Sequence, residues 1–309
     1  MKKWVKKERF PKELRNTLIH KCNQEDIQTL YVKNNKNKHI IFFVKNKLIK
    51  IRNWFSIEIG NKFEVPFMSV FLTQKCTLRC INCSDLMPYY KEPKSFPYKK
   101  ILFCLKRYLS VVDGVHFLLL CGGETFLYSE LDKMLEFCIN EKKIRNIGIV
   151  TNGTIIPNER LCKLLSDPKV RVRISNYKCV GEKRKQTIRY LESHGVLIED
   201  LKRQKWYDVG DFSNRARNVS QMEQIFSQCM MNNCFEINKN KVIYCARQRS
   251  GDLGLTPQIP ETDYVSLKIK NKKQLKKELL HMYEKKFLTT CNYCDGITRQ
   301  SKRVIPGEQ

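Results

Sequence analysis

Between Phe67 and Ile198 the chain alternates short apolar runs with amphipathic stretches of helical period, and this alternation limits the fold more than any other feature. The strand candidates are Phe67 to Leu72, Val115 to Leu120, Ile147 to Thr151, Val170 to Ser175 and Val196 to Ile198. Between them lie the helix candidates Lys99 to Val112, Ser129 to Glu141, Asn158 to Leu165 and Glu182 to His194. Such alternation predicts the α/β class, built of parallel βαβ units with right-handed crossovers. In barrels of this kind the chemistry sits at the carboxyl ends of the strands. With 309 residues, 42% of them hydrophobic, the chain is long enough for one such core and a smaller appended domain. Three regions separate: a basic leader over 1–62, the alternating region over 63–222, and a stretch over 223–309 with clustered cysteines.

Two strand candidates end in groups that carry chemistry. After the first comes LTQKCTLRCINCSD, in which Cys76, Cys80 and Cys83 form a CxxxCxxC triplet. Thiolates select zinc or iron–sulfur clusters, and a [4Fe–4S] cluster normally takes four of them, so three leave one iron open to a ligand. The second runs VHFLLLCGGETFLY, ending in Gly122, Gly123 and Glu124. Glycines let a backbone approach a ligand closely, and a carboxylate accepts from an ammonium group. Thr151-Asn152-Gly153 and Ser175-Asn176-Tyr177 follow the next two strands. Asn-Gly is also an ordinary turn signal, and Ser175 and Asn176 are also suited to cap the helix that follows.

The triplet and the GGE segment together resemble the radical S-adenosylmethionine (SAM) superfamily. The resemblance implies a partial (β/α)6 TIM-like barrel with a [4Fe–4S] cluster on Cys76, Cys80 and Cys83. It further implies S-adenosyl-L-methionine at the open iron, its methionyl end met by Gly122, Gly123 and Glu124, with polar contacts from Thr151, Asn152, Ser175 and Asn176. An external one-electron donor such as flavodoxin or ferredoxin would drive cleavage to a 5′-deoxyadenosyl radical. Two positions depart from the family pattern: Asn82 stands where an aromatic residue is common, and Thr125 where proline is usual. The first puts packing at the adenine end of SAM in question, with Tyr89 or Tyr90 as substitutes or as ordinary loop cover.

Five more cysteines cluster near the end: Cys229, Cys234 and Cys245 in CMMNNCFEINKNKVIYC, then Cys291 and Cys294 in CNYC. This resembles the Twitch domain, the short relative of SPASM, which holds one auxiliary [4Fe–4S] cluster. By spacing, Cys229, Cys245, Cys291 and Cys294 match that motif and Cys234 is left over. Cys234 then reads as a hydrogen-atom donor to a substrate radical, as in some radical SAM epimerases, or as a ligand in place of Cys229, or as a buried structural thiol. Asn240 occupies a hairpin position where the motif has glycine, and Asn tolerates φ > 0. Zinc on the same cysteines and a purely electron-carrying iron–sulfur protein are the competing readings. Cys22, Cys104, Cys121, Cys138, Cys162 and Cys179 are isolated among apolar neighbours and read as core.

The net charge of +27 reads as a lysine-rich solvated surface with a mild preference for an anionic small-molecule substrate, and nucleic acid is not the expected partner. The stretch MKKWVKKERFPKEL is polar throughout and no eighteen-residue apolar window occurs, so a cytoplasmic protein is expected. Disulfides are correspondingly not expected among the 14 cysteines. In the leader, Ile41, Val44, Leu48, Ile51 and Phe55 recur at helical spacing among Lys45, Lys47, Lys50 and Arg52. That segment can pack on the barrel, lie on an anionic membrane as a peripheral contact, or form a β-hairpin. CSDLMPYY and CARQRSGDLGL loosely resemble radical SAM proteins of surface-polysaccharide biosynthesis, which implies oxidation or epimerisation of a sugar-like or nucleotide-sugar substrate. The alternative is a peptide-modifying enzyme of ribosomal-peptide maturation, although the leader shows no winged-helix pattern.

Overall fold

The computed structural model describes residues 9–23, 48–200, 206–232 and 234–309. Five strands, β1 (Glu64–Thr73), β2 (Gly114–Gly122), β3 (Ile147–Thr151), β4 (Val170–Ile174) and β5 (Ile198–Asp200), pair in parallel in chain order. Along β1 every side chain but that of Phe67 is buried, as expected of a central strand covered on both faces. Four helices connect the five strands: α2 (Tyr98–Leu109), α3 (Leu131–Asn140), α4 (Glu159–Leu165) and α5 (Gly181–Ser193), preceded in the leader by α1 (Lys12–Cys22). α2 buries Ile101, Cys104, Leu105, Tyr108 and Leu109, the i, i+3, i+4, i+7, i+8 stripe of a helix with one face on a sheet. α4 starts where Asn158 accepts from the Leu161 N–H at 2.8 Å.

The sheet does not stop at residue 222. After β6 (Trp206–Tyr207) and α6 (Val219–Gln228), β7 (Glu236–Asn238) joins the free edge of β1 in parallel, with β8 (Lys241–Ile243) and β9 (Val265–Ser266) antiparallel beyond it. The Ser69 N–H and hydroxyl both donate to the Phe235 carbonyl, at 2.8 and 3.0 Å, and fix this junction. A sixth parallel strand is therefore present, but it is delivered by the cysteine-rich region to the opposite edge from β5. The β7–β8 hairpin has its positive φ, +54°, at Lys239 and not at Asn240. In a two-residue turn with φ > 0 at the first central position the strain falls one residue earlier than the sequence pattern suggests. α7 (Lys272–His281) and β10 (Arg303–Val304) follow, and β10 pairs antiparallel with β6 in a separate two-stranded sheet.

In the leader, α1 lays Leu14, Leu18 and Cys22 into the core, and Ile57 joins them. Residues 48–54 are helical and not a hairpin, continuing into a wider turn at Phe55–Ile59. Leu48, Ile51 and Phe55 are 60%, 53% and 56% exposed, so among the described residues the leader packs through α1 and Ile57. Ile41, Val44, Lys45 and Lys47 lie outside the described residues. Among the described residues no helix is long and apolar enough to cross a membrane. All 14 cysteines are free thiols, and Cys22, Cys104, Cys121, Cys138 and Cys162 are buried. Cys179 is exposed, because it follows β4 in a loop and not on a core face.

Candidate functional site: two thiol sets

The loop that leaves β1 is clamped to the end of β2. Gly123 N–H donates to the Thr73 carbonyl and Glu124 N–H to the Lys75 carbonyl, both at 2.8 Å. A Cβ on Gly122 would stand 2.4 Å from the Thr73 oxygen, and one on Gly123 2.3 Å from the Lys75 oxygen. The neighbour these glycines admit is thus the cysteine loop's own backbone, a closer reason for them than the ligand approach read from the sequence. Glu124 is wholly buried, and its carboxylate accepts from Phe126 N–H at 3.0 Å and from Thr151 Oγ1 and Asn152 N–H at 2.8 Å. Burial pushes this carboxyl up while those three donors oppose the shift. Glu124 therefore ties the ends of β2 and β3 together.

Asn152 continues the chain of contacts to the first cysteine. Its Nδ2 donates to Thr77 Oγ1 at 3.0 Å and lies 3.7 Å from Cys76 Sγ, while its Oδ1 accepts from Thr154 N–H at 3.0 Å. Gly153 has φ +78°, so residues 152–153 form a turn and reach the cysteine loop at once. Ser175 is buried, its N–H on the Thr151 carbonyl at 2.9 Å and its carbonyl accepting from Arg184 Nε at 2.8 Å. α5 begins at Gly181 with Val180 as its N-cap, so neither Ser175 nor the exposed Asn176 caps it.

The three thiols of this loop are near one another: Cys80 raises the pKa of both Cys76 and Cys83 by its proximity. Burial is the main cause of the shifts, pushing Cys76 up to about 11 and Cys83 up to about 12. Leu78 N–H donates to Cys76 Sγ at 3.4 Å and Gln309 Nε2 to Cys80 Sγ at 3.2 Å. A soft three-thiol set furnished with N–H donors to sulfur is a donor set that fits an iron–sulfur cluster.

A second set lines a cavity of about 420 Å³ that also touches Asn82 and Cys83 of the first loop. Cys229, Cys245, Cys291 and Cys294 are in its wall, and Cys234 is not. Cys245 is pushed well up by burial and then by its three companions Cys294, Cys291 and Cys229. Cys229 Sγ accepts from Met231 N–H and Ile297 N–H, both at 3.4 Å, and Cys294 Sγ from Gly296 N–H at 3.3 Å. Cys234 lies beside Cys229, its thiol 3.7 Å from Met231 Sδ and pushed up to about 12 by burial. Among the described residues no three His, Cys, Asp or Glu side chains, in either thiol set, close on a point tightly enough for one metal ion.

Tyr89, Trp206, Tyr207, Phe212 and Phe226 supply aromatic wall to the cavity. Tyr90 is instead buried with Phe71, Leu86, Met87 and Cys121. Sequence reading missed Arg247, whose guanidinium stacks 3.8 Å over the Phe212 ring and donates to the Gly210 carbonyl at 3.0 Å. It also missed Arg249, buried at 3% exposure, which grips both carboxylate oxygens of Glu236 at 2.9 and 2.8 Å and donates to Asp85. This triad joins the residue two after Cys83 to the residue four after Cys245. No motif marks it, since all three partners come from different segments.

No family profile matches the chain. Over 142 residues it is 28% identical to the GTP 3′,8-cyclase of Aquifex aeolicus, a match covering 45% of this chain and 43% of that protein. Over 184 residues it is 23% identical to AlbA of Bacillus subtilis, an antilisterial bacteriocin subtilosin biosynthesis protein, covering 52% of this chain and 39% of that one. The matched stretches span less than half the length of these relatives. The crystal structure of BtrN in an open conformation superposes with a TM-score of 0.47 at 12% identity, over 77% of this chain and 95% of that one. The cysteine triplet at the end of β1, the GGE segment clamped against it and these similarities in sequence support the resemblance to the radical SAM superfamily.

Proposed function

We propose that the chain reductively cleaves SAM and takes a hydrogen atom from an unactivated carbon of a substrate lodged between the two thiol sets. Cys76, Cys80 and Cys83 would hold a [4Fe–4S] cluster. The chemistry such a cluster would supply is one-electron reduction of the SAM sulfonium, the electron coming from an external donor such as flavodoxin or ferredoxin, so that a C–S bond would break to give methionine and a 5′-deoxyadenosyl radical. The chain's own work is positioning and exclusion of side reactions. Glu124 locks the ends of β2 and β3, Asn152 carries that lock to the Cys76 loop, and the two 2.8 Å backbone bonds set the loop's height over the sheet. Those two bonds, which hold the triplet against GGE, are the observation that carries the proposal.

Cys229, Cys245, Cys291 and Cys294 would hold an auxiliary [4Fe–4S] cluster, suited to accept an electron from a substrate radical. Cys234 keeps its proton through burial, as a hydrogen-atom donor must, but it stands outside the cavity wall. The geometry therefore favours net oxidation over epimerisation.

For the substrate, the charged side chains in the cavity wall are Asp208, Asp211 and Arg247, so the chain's positive charge does not extend into it. Apolar wall from Ile225, Met230, Met231 and Ile297 suits a peptide side chain better than an anion, and similarity to AlbA points the same way. The second reading, a sugar-like substrate, draws on the five aromatic side chains of the wall, whose faces can stack on a sugar ring.

The test is anaerobic reconstitution with iron and sulfide, then chromatographic assay of 5′-deoxyadenosine from SAM and dithionite, with a peptide panel or a nucleotide-sugar pool added. Replacing Cys76, Cys80 and Cys83 together by Ala should abolish cleavage while the second thiol set keeps its iron. Retained cleavage overturns the assignment, and the pool that stimulates cleavage names the substrate class.

A further inference from the structure

Residues 303–309 fold back across the strand ends and onto the cysteine loop. β10 pairs antiparallel with β6, and the Arg303 guanidinium lies 4.0 Å over the Tyr207 ring. Beyond β10 the backbone turns at Gly307, φ +73°, where a Cβ would come within 2.4 Å of the Tyr177 ring. Tyr177 in turn packs edge-on against Trp206 at 5.4 Å between centroids. The Cys179 thiol donates to the Gly307 carbonyl at 3.2 Å. A glycine is required there, because the chain is pressed onto an aromatic ring in a left-handed conformation.

From Gly307 the segment takes up the cysteine loop on both sides of Cys80. Ile81 N–H donates to the Glu308 carbonyl and Arg79 N–H to Gln309 Oε1, both at 2.8 Å. Gln309 Nε2 then donates to Cys80 Sγ at 3.2 Å and to the Gly307 carbonyl at 2.7 Å. The orientation of this amide is determined, since the reverse flip would set its NH₂ against the Arg79 N–H. By residue exposure Cys80 is the most buried of the triplet, at 6%, and the contact to the exposed Gln309 is partly buried.

We propose that Gln309 is a positioning residue of the first thiol set, and that its N–H···S bond to Cys80 raises the reduction potential of the cluster held there. This rests on the reading that Cys76, Cys80 and Cys83 hold that cluster. A reduced cluster carries one more negative charge on its sulfurs, so a donor to sulfur stabilises the reduced form more than the oxidised one. Gln309 is closer to its sulfur than Asn152 is to Cys76, 3.2 Å against 3.7 Å, and so is the stronger of the two side-chain donors.

The test uses the full chain. In the apo protein, hydrogen exchange at the Arg79 and Ile81 amides reports docking of the segment without any cluster. Slow exchange in wild type that becomes fast in Gly307→Ala is the expected result, and equally fast exchange in both overturns the docking. In the reconstituted protein without SAM, a redox titration followed by electron paramagnetic resonance reads the first cluster. Gln309→Leu keeps the volume and removes the donor, and should move the midpoint to more negative potential at unchanged iron content. Gln309→Glu should move it further, because a carboxylate adds negative charge beside the sulfur. A midpoint in Gln309→Leu equal to that of wild type overturns the tuning. Failure of wild type to take up iron on the triplet instead overturns the cluster reading, while the exchange result still stands for the segment.

Discussion

Adjacent residues at the end of β2 have separate tasks. Gly123 sets how closely the cysteine loop approaches, and Glu124 sets where β3 ends. In Gly123→Ala the new methyl group, 2.3 Å from the Lys75 oxygen, has backbone as its neighbour, so the loop must move. Overpacking of this kind costs about 1–3 kcal/mol, so a drop of roughly tenfold or more in SAM cleavage is expected. Iron analysis should show the loss at the first thiol set with the second intact. The fifth cysteine is separable in the same way. Cys229→Ala should lose auxiliary iron, whereas Cys234→Ala, outside the cavity wall, should keep it; the reverse pattern of iron content would exchange their roles. Spacing alone singled out the four wall cysteines but left Cys229 and Cys234 open, because a short hairpin can present either. Gln309 and Arg249 carry no such signal, since long-range meeting and not local periodicity defines their partners.

At the scale of elements, the parallel strands were legible as short continuous apolar runs, buried on both faces, and the helices between them as stripes at the 3.6-residue period. Ser175 was drawn into a strand that ends at Ile174, and β5 begins at Ile198 where Val196 was expected. The attachment of β7 to β1 was not legible. Strands of two or three residues show no period, and nothing local announces a partner across the whole chain. What holds that junction, besides the Ser69 contacts, is the ion triad. Arg249→Met would leave Glu236 buried and unpaired and Asp85 without its cation, at a cost of about 3–5 kcal/mol. Denaturant unfolding should show it. The triple change of Arg249, Glu236 and Asp85 to apolar residues of similar volume should recover much of that loss. If Arg249→Met matches wild type, the triad does not hold the sheet extension.

On the scale of the whole molecule, the two ends of β1 have separate tasks, the cysteine triplet following its carboxyl end and a buried ionic cluster lying at its amino end. There Glu64 Oε1 accepts from Ser56 of the leader at 2.8 Å, and Oε2 from Arg145 Nη2 at 2.5 Å, with His116 Nε2 3.6 Å away. Burial alone would push Glu64 up, but His116, Arg145 and Ser56 outweigh it and hold the carboxyl at about 2, against an ordinary 4.5. His116 moves down from 6.5, chiefly through burial, and its Nε2 is 2.8 Å from Arg145 Nη1, with Arg52 also near. Both groups are depressed in the folded state, so the unfolded chain binds more protons and acid must destabilise the protein. The His116 contribution is complete above pH 6.5 and declines as pH falls below it. The Glu64 contribution is complete above pH 4.5 and is lost on the way down to about 2. At about 1.4 kcal/mol per pKa unit the second is on the order of 3 kcal/mol. Urea midpoints of the apo protein should therefore fall in two stages on acidification. Glu64→Gln should lower the plateau and flatten the stage below pH 4.5 while the upper one remains. A wild-type profile unchanged between pH 7 and 3 would show that this cluster does not join the leader to the barrel through charge.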